Sequence, residues 1–479
     1  MKGGKILISN IVLALLAVTN CFSVKAQYDI TIEIKNFKTD TLLMGYFWHG
    51  GPYALDTSVN SNGKFAFRKK NKTLEDGIYF FSDTKGRYCE FLICKDQNLK
   101  FKTSDEDWIK NMKVKGSKNE EVYFDYLVKS DDLGKQYQLA VGNRESISKQ
   151  EYEDKVKILT ERNDSLKNDF IKNYPDHILS KILLCTQPLN VPEFPIIYKE
   201  DGSVDSVAVQ HERFCWYKLH YFDNIDFGCG ALLNTHKKIF MDNYERYWQE
   251  VMKYEKADSI LYYAEYWINK ATDKKMFEFL VKDITTRYLQ SPVMGHDKVY
   301  VGMVDKYLKT GKYTALTPSD IDANIQRADT WRNLLIGKTV PDLACPENDD
   351  KSAWHHLDEL QSKYKILVFW SIECGHCTTE IPKLNEFYKA YHKIYDLEVF
   401  AVHTEGDTKA RDEFIENNGI TWINTNGLFA SYDWREYFNI EKTPVVYILD
   451  SYDKILAKHI PIDNLKQVMD VLERGGFDL

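Results

Sequence analysis

Hydrophobic and polar side chains alternate near the start of the chain in the way that half-buried strands require. Ile30, Ile32 and Ile34 are separated by single polar residues, and a period of two is typical of a strand with one solvated face. Asn62-Gly63 is a hairpin turn signal between two further segments of this kind. Short strands with turn signals between them predict a β-sandwich-like domain over residues 27–116.

The pattern then changes to the helical period, and residues 117–335 are predicted to form an all-helical domain. Ser148-Lys149-Gln150-Glu151 has the form of a capping box, and Pro175 is expected to end the helix that follows. Apolar side chains on one face of that helix are Tyr152, Val156, Leu159, Leu166 and Phe170. The prolines between 188 and 205 predict a loop.

Residues 336–479 alternate between strand-like and helix-like segments, which predicts a mixed sheet covered on both faces. The predicted strands are 365–370, 397–402, 445–449 and 455–458. The predicted helices are 375–394, 408–418 and 463–474. The whole chain is therefore expected to be a multidomain α+β protein with a C-terminal α/β domain.

Composition narrows the classes of function. At 479 residues the chain is too long for one hydrophobic core. The formal net charge of -8 argues against nucleic-acid binding through a general basic surface. Nine cysteines are too few for a scaffold held together by disulfides.

Residues 1–26 are expected to be a signal peptide rather than part of the fold. Lys2 and Lys5 precede an apolar run over 6–18, and Val24-Lys25-Ala26 offers a cleavage site. The alternative is a lipoprotein signal in which Cys21 is acylated and anchors the protein to a membrane. No other stretch is long and apolar enough to predict a membrane span, so we expect a periplasmic or secreted protein, with peripheral or lipid anchoring as the alternative.

Cys374-Gly375-His376-Cys377 is the strongest chemical signal, because it follows a predicted strand and opens a predicted helix. A C-x-x-C pair in this setting is typical of a redox dithiol. The amides at a helix N-terminus favour a thiolate at the first cysteine. They contribute about 0.3–2 kcal/mol, so His376 is expected to supply part of the remaining stabilisation.

Other interpretations of this motif fit less well. Structural zinc usually requires two such pairs, and covalent haem requires His directly after the second cysteine, where this chain has Thr378. A purely structural disulfide would close a very short loop and stabilise little. A thiol peroxidase would need Pro and Thr at fixed positions before its reactive cysteine, which this chain lacks.

Residues 337–479 resemble the thioredoxin fold in its extracytoplasmic TlpA/ResA-like branch. The resemblance rests on Phe369-Trp370-Ser371-Ile372-Glu373-Cys374-Gly375-His376-Cys377 and on Glu380-Ile381-Pro382. It implies that Cys374 is the attacking nucleophile, that Cys377 is the resolving thiol of a redox-active disulfide, and that Glu380 tunes the dithiol. Gly375, His376 and Trp370 are implied supporting residues.

Thr443-Pro444 matches the family's cis-proline, which faces the dithiol and lines the substrate groove. An ordinary trans proline at the start of a strand is the alternative. The resemblance implies no metal or organic cofactor. The implied partners are substrate proteins with cysteines or disulfides and a redox partner protein.

The chain also departs from thioredoxins. They keep a buried Asp six residues before the first cysteine, where this chain has Val368. The dipeptide between the cysteines is Gly-His, which implies a potential nearer to about -180 mV than to about -270 mV.

The whole chain resembles a multidomain architecture that is common in secreted proteins of the Bacteroidetes, with N-terminal β and helical domains of unknown function. Met294-Gly295-His296-Asp297 is one recurring element of the second domain. The alternative function is a non-catalytic interaction scaffold with a thioredoxin-like binding module. His403 follows the second predicted strand and is interpreted as a loop histidine, with an approach to the dithiol site as the alternative. His355-His356 are interpreted as exposed side chains, with metal binding as the alternative. The pairing of Cys89, Cys94, Cys185, Cys215, Cys229 and Cys345 is left open.

Overall fold

A computed structural model describes residues 28–142 and 144–477. The chain divides into two compact units, the first ending at Tyr247 and the second beginning at Trp248. The proposed signal segment, with Cys21, lies outside the described residues. The division into 27–116, 117–335 and 336–479 remains a prediction. Within the described part of the chain, no helix is both long and apolar enough to cross a membrane.

The first unit begins with two four-stranded sheets formed by residues 28–115, all of which are described. Their strands are β1 (Tyr28–Lys35), β2 (Thr41–Trp48), β3 (Gly51–Val59), β4 (Lys64–Lys69), β5 (Gly77–Ser82), β6 (Tyr88–Ile93), β7 (Asn98–Ser104) and β8 (Lys113–Lys115). The strand orders are β4-β1-β7-β8 and β3-β2-β5-β6. Neighbouring strands are antiparallel except β1 and β7, which are parallel.

Aromatic side chains fill the space between these two sheets. Phe67 of β4 and Phe101 of β7 contact Phe81 of β5, with ring centroids 5.7 and 5.4 Å apart. The isoleucines that alternate along β1 are almost completely buried. The predicted sandwich-like architecture is therefore confirmed.

The predicted turn at Asn62-Gly63 is present, and both residues have positive φ, as a two-residue hairpin turn of this kind requires. It joins β3 and β4, which belong to different sheets. The turn therefore carries the chain from one layer of the sandwich to the other.

Five α-helices follow among the described residues of the first unit, with loops such as residues 186–205 between them. The helices are α1 (Lys118–Gly142), α2 (Lys149–Asn173), α3 (Ile178–Cys185), α4 (Ser206–His220) and α5 (Met241–Arg246). The Ser148 side chain accepts the N–H of Glu151 and caps α2 as predicted, and the helix ends just before Pro175. Phe170 is the buried residue of its apolar face, and the other four side chains of that face are half-buried.

The second unit begins with four helices, followed by elements of a mixed α/β fold. The helices are α6 (Ala257–Lys270), α7 (Lys274–Leu289), α8 (Asp297–Met303) and α9 (Pro318–Asn333). The later strands are β9 (Ala344–Pro346), β10 (Trp354–His356), β11 (Tyr364–Trp370), β12 (Leu397–His403), β13 (Ile423–Asn426), β14 (Val445–Asp450) and β15 (Ile455–Lys458). The later helices are α10 (Gly375–Tyr395), α11 (Thr408–Asn417), α12 (Trp434–Tyr437) and α13 (Leu465–Glu473).

Within residues 364–458 the central sheet has the order β13-β12-β11-β14-β15. Strands β11, β12 and β13 are parallel, whereas β14 and β15 form an antiparallel hairpin beside β11. Every residue of β11 is buried, because apolar clusters cover both faces of the sheet. The C-terminal thioredoxin-like α/β architecture is thus confirmed, although β13 was not predicted.

This topology gathers three chain segments at one edge of the sheet. The carboxyl end of β11, the amino end of β14 and the carboxyl end of β15 lie side by side, because β14 is antiparallel to both neighbours. The Cys374 motif follows β11, and Pro444 immediately precedes β14. The sheet therefore brings residues about 70 positions apart in sequence to the same edge.

Candidate active site

Cys374 lies between β11 and α10, at the N-cap position of the helix. Its thiol donates to the main-chain oxygen of Thr443 over 3.3 Å. The peptide bond between Thr443 and Pro444 is cis, as predicted. The arrangement places the first cysteine of the motif directly against the proline loop.

The local environment lowers the pKa of Cys374. Partial burial acts in the opposite direction, but hydrogen bonds from the Thr443 side chain, the Cys377 thiol and the backbone N–H groups of Cys377 and His376 outweigh it. These donors stabilise the thiolate, as expected at a helix N-terminus. His376 acts through its backbone N–H, while its side chain is exposed. The Cys374 thiolate is thus stabilised by the backbone amide of His376, whereas the sequence had led us to expect stabilisation by its imidazole.

Cys377 has the opposite character. It is completely buried, and burial raises its pKa to about 11, with the neighbouring Cys374 acting in the same direction. One turn of helix thus separates an accessible thiol that ionises readily from a covered thiol that keeps its proton. This asymmetry is what a nucleophile and a resolving thiol require.

The other cysteines give a useful contrast. All eight cysteines that the structure describes are free thiols. Of the six cysteines outside the dithiol motif, burial raises the pKa of five, to about 12 at Cys89, Cys185 and Cys345, to about 11 at Cys229, and well above its usual value at Cys94. Burial of this kind makes a thiol inert, so Cys374 differs from them in its chemistry.

Glu380 lies one turn beyond Cys377 on α10, and its side chain is largely buried. Its Oε1 accepts from Lys383 over 2.9 Å, and Lys383 also pairs with Asp463 over 3.2 Å. The carboxylate is therefore held in an ion-pair network on the helix that carries the dithiol. Its predicted function in proton transfer remains a proposal.

Trp370 is the last residue of β11 and is completely buried below the motif. Val368, at the position where thioredoxins have an acid, is equally buried in the apolar core. No carboxylate of β11 thus serves the resolving thiol. The main-chain oxygen of Trp370 accepts the N–H of Thr404 over 2.8 Å.

A hydrogen bond and close packing connect the turn before Cys374 to the segment that follows β12. Ser371 donates its hydroxyl to the main-chain oxygen of Glu405 over 3.0 Å and accepts the N–H of Glu373 over 3.1 Å. A side chain at Gly406 would collide with Ile372 and Glu373, and its φ of +107° also favours glycine. Sequence patterns did not predict this contact, for which the small residues Ser371 and Gly406 are the local signal.

His403 is part of the same contact, so its interpretation as a loop histidine is wrong. It is the last residue of β12, is 1% exposed, and its Nε2 accepts the N–H of Ile372 over 3.3 Å. Burial lowers its pKa to about 4, and the positive charge of Arg411 acts in the same direction. His403 is therefore neutral at physiological pH and serves as a hydrogen-bond acceptor.

His355 and His356 precede the dithiol motif in sequence, and each lies near a different acidic side chain. His356 pairs with Asp342 over 2.7 Å, whereas His355 is 3.7 Å from Glu347. His356, Asp342 and Asp358 place ligand atoms within 4.8 Å of one another. The hydrogen bond to Asp342 raises the pKa of His356. His356 and Asp342 therefore form a hydrogen-bonded pair, beside which Asp358 lies.

Family models match both ends of the chain. Residues 336–455 match the AhpC/TSA family, and residues 28–123 match a domain of unknown function, DUF4369. No curated protein matches the chain.

Several solved structures resemble parts of the chain. A domain of a possible thiol-disulfide isomerase from Cytophaga hutchinsonii is 32% identical, with a TM-score of 0.27, over 29% of this chain and 94% of that one. A thioredoxin-like protein from Bacteroides caccae is 16% identical, with a TM-score of 0.45, over 60% and 99%. The thioredoxin domain of a thiol-disulfide oxidoreductase from Bacteroides vulgatus is 23% identical, with a TM-score of 0.25, over 30% and 98%.

Proposed function

Because this chain belongs to the TlpA-like, thioredoxin-fold family of thiol–disulfide oxidoreductases and carries a DUF4369 domain ahead of that fold, we propose that it exchanges disulfides with other proteins outside the cytoplasm. The observation that carries the proposal is the asymmetry of the dithiol. The pKa of Cys374 is lowered, whereas that of Cys377 is raised to about 11.

In the reductive direction, the Cys374 thiolate attacks one sulfur of a substrate disulfide. A Cys374–substrate disulfide forms, and the other substrate sulfur leaves as a thiolate. Cys377 then loses its proton and attacks the Cys374 sulfur, which releases the second substrate thiolate. The two electrons of the dithiol have passed to the substrate, and Cys374 and Cys377 are joined in a disulfide.

The surrounding residues assist these steps in distinct ways. The helix amides of His376 and Cys377 stabilise the Cys374 thiolate before it attacks. Glu380 accepts the proton of Cys377 as that buried thiol becomes the nucleophile. Thr443 and Pro444 line the groove in which the substrate backbone lies. No metal or organic cofactor takes part, and a redox partner protein restores the dithiol.

The proposed compartment rests on the N-terminal sequence. A basic start, an apolar run and a small-residue cleavage site over residues 1–26 favour export. Acylation at Cys21 is the alternative. Intact-mass spectrometry of the mature protein from its native host distinguishes these outcomes, because cleavage before Gln27 leaves Gln27 or its pyroglutamate at the N-terminus, whereas acylation adds the mass of lipid at Cys21.

The activity is tested by trapping. Cys377→Ser leaves the Cys374–substrate disulfide unresolved, so mixed disulfides with other proteins are expected on non-reducing gels. Cys374→Ser is the matched control and should trap none. If neither trapping nor reduction of insulin disulfides by the wild type is seen, the scaffold alternative replaces this proposal. Turnover of hydrogen peroxide that exceeds insulin reduction would favour a peroxidase instead.

The direction of electron flow depends on the potential of the Cys374/Cys377 pair. Equilibration with glutathione followed by alkylation measures it. The Gly-His dipeptide leads us to expect about -180 mV. A value below about -250 mV would make the protein a reductant of the thioredoxin type.

A further inference from the structure

A cavity of about 450 Å³ lies beside the end of β15 in the second unit. Its wall includes residues 291–295 after α7, residues 459–461 after β15 and Phe477 near the C-terminus, and further segments complete it. Its apolar lining includes Val293, Met294, Leu334, Phe438, Ile460 and Phe477. The volume lies within the range of about 300–1,000 Å³ that is usual for ligand pockets.

The lysine of the wall is already compensated, whereas Asp297 Oδ1 has no hydrogen-bond partner among the described residues. Lys458 is buried, pairs with Asp297, and donates to the main-chain oxygen of Leu334 over 2.6 Å. Its positive charge is therefore neutralised within the wall, and an anionic ligand gains little from it. The cavity favours an uncharged, apolar occupant.

The cavity lies at the same edge of the sheet as the dithiol. Ile460 in its wall donates its N–H to the main-chain oxygen of Val446, two residues after Pro444. Strand β14 separates β15 from β11, and neighbouring strands lie about 4.8 Å apart. The end of β15 is thus about 10 Å from the end of β11, a distance that about three residues of extended chain cover.

We propose that this cavity binds an apolar side chain of the substrate protein, about three residues from the cysteine that reacts with Cys374. The inference rests on the proposed function and extends it to substrate selection. A substrate segment in extended conformation that pairs with the loop at Pro444 reaches the cavity without a bend. Residues 291–295 belong to the predicted helical domain, so that domain then takes part in recognition.

Binding tests the inference separately from turnover. The probes are two labelled ten-residue peptides in which Ser replaces the reactive cysteine, with either Phe or Ser placed three residues away. Fluorescence anisotropy with the full-length reduced protein measures their affinities. The Phe peptide should bind at least about tenfold more tightly. Equal affinities would overturn the inference.

Two variants test whether the preference for the Phe peptide arises in this cavity. Val293→Glu and Phe477→Glu each place an unpaired carboxylate in the apolar wall, and each should bring the two affinities to within about twofold. Ile394→Glu is the control, because Ile394 is exposed near the far end of α10. If both cavity variants fold, by circular dichroism, and keep the preference, the cavity is not the site.

Turnover measurements show whether the proposed disulfide exchange or the proposed binding in the cavity has failed. The same peptides with cysteine restored, in a mixed disulfide with glutathione, are offered as substrates. Tight and selective binding without reduction would overturn the proposed function and leave the cavity as a peptide-binding site. Reduction of both peptides at equal kcat/KM, with equal affinities, would overturn the cavity proposal alone.

Discussion

The imidazole Nε2 of His403 accepts the main-chain N–H of Ile372 over 3.3 Å, two residues before Cys374. The two residues come from the ends of neighbouring parallel strands, β12 and β11. The hydrogen bond therefore ties the turn that carries Cys374 to the adjacent strand. A side chain interpreted from the sequence as a loop histidine thus becomes a positioning residue for the proposed nucleophile.

His403→Leu should destabilise the protein by about 1–3 kcal/mol, because it leaves the N–H of Ile372 without its acceptor. The alkylation rate of Cys374 should fall as well, since the turn before it is no longer held. Urea denaturation and timed iodoacetamide labelling measure the two effects. His403→Gln is the matched control, because its amide oxygen can replace Nε2, and it should restore the alkylation rate. If His403→Leu alkylates at the wild-type rate, the histidine does not position the turn.

His403 should also make stability depend on pH. Its pKa is about 4 in the folded protein and about 6.5 in an unfolded chain. The unfolded state therefore binds the proton more readily, and stability decreases as the pH falls from about 6.5 to about 4. The loss should total about 3 kcal/mol. Comparison of urea midpoints from pH 7 to pH 4 in the wild type and His403→Gln isolates this contribution, which the variant should lack.

Cys374 should react with iodoacetamide at a lower pH than an ordinary thiol. Its pKa is lowered by the hydrogen bonds that outweigh burial, so the midpoint of its pH–rate profile should lie below that of an ordinary cysteine thiol. Cys377, with a pKa of about 11, should remain unlabelled at neutral pH. Mass spectrometry of the reduced protein identifies the labelled residue. Preferential labelling of Cys377 at pH 7 would reverse the assignment of nucleophile and resolving thiol.

A buried ion pair at the opposite end of β11 should be important for stability. Lys365 Nζ contacts Asp453 Oδ1 over 2.7 Å, and the lysine side chain is completely buried. Lys365→Met should cost about 3–5 kcal/mol, because it leaves the carboxylate buried without its partner. Adding Asp453→Asn removes that charge and should recover much of the loss, and Asn tolerates the positive φ at this position. A cost below about 1 kcal/mol in the single variant, by urea denaturation, would contradict this account.

Local sequence patterns were sufficient for the elements with strong periodicity. The alternating isoleucines of β1, the Ser148 cap of α2 and the apolar strand β11 all lie where the patterns predicted them. By contrast, β13 has the sequence Ile-Asn-Thr-Asn, and its polar residues gave no strand signal. It becomes the outermost strand of the sheet because the backbone hydrogen-bonding groups on one side of β12 are open to it. The position of β12 depends on the tertiary fold.

The sequence by itself determined the dithiol, because the chemistry of Cys374 and Cys377 depends on their spacing and on the helix that begins between them. It also indicated the proline loop, since Thr443-Pro444 directly precedes a strand. Only the tertiary structure decided what surrounds them. His403 contacts Ile372 because two strands are in register, and the cavity beside β15 exists because Met294 and Phe477, far apart in sequence, meet at one edge of the sheet. Contacts between residues distant in sequence depend on packing, which local patterns do not record.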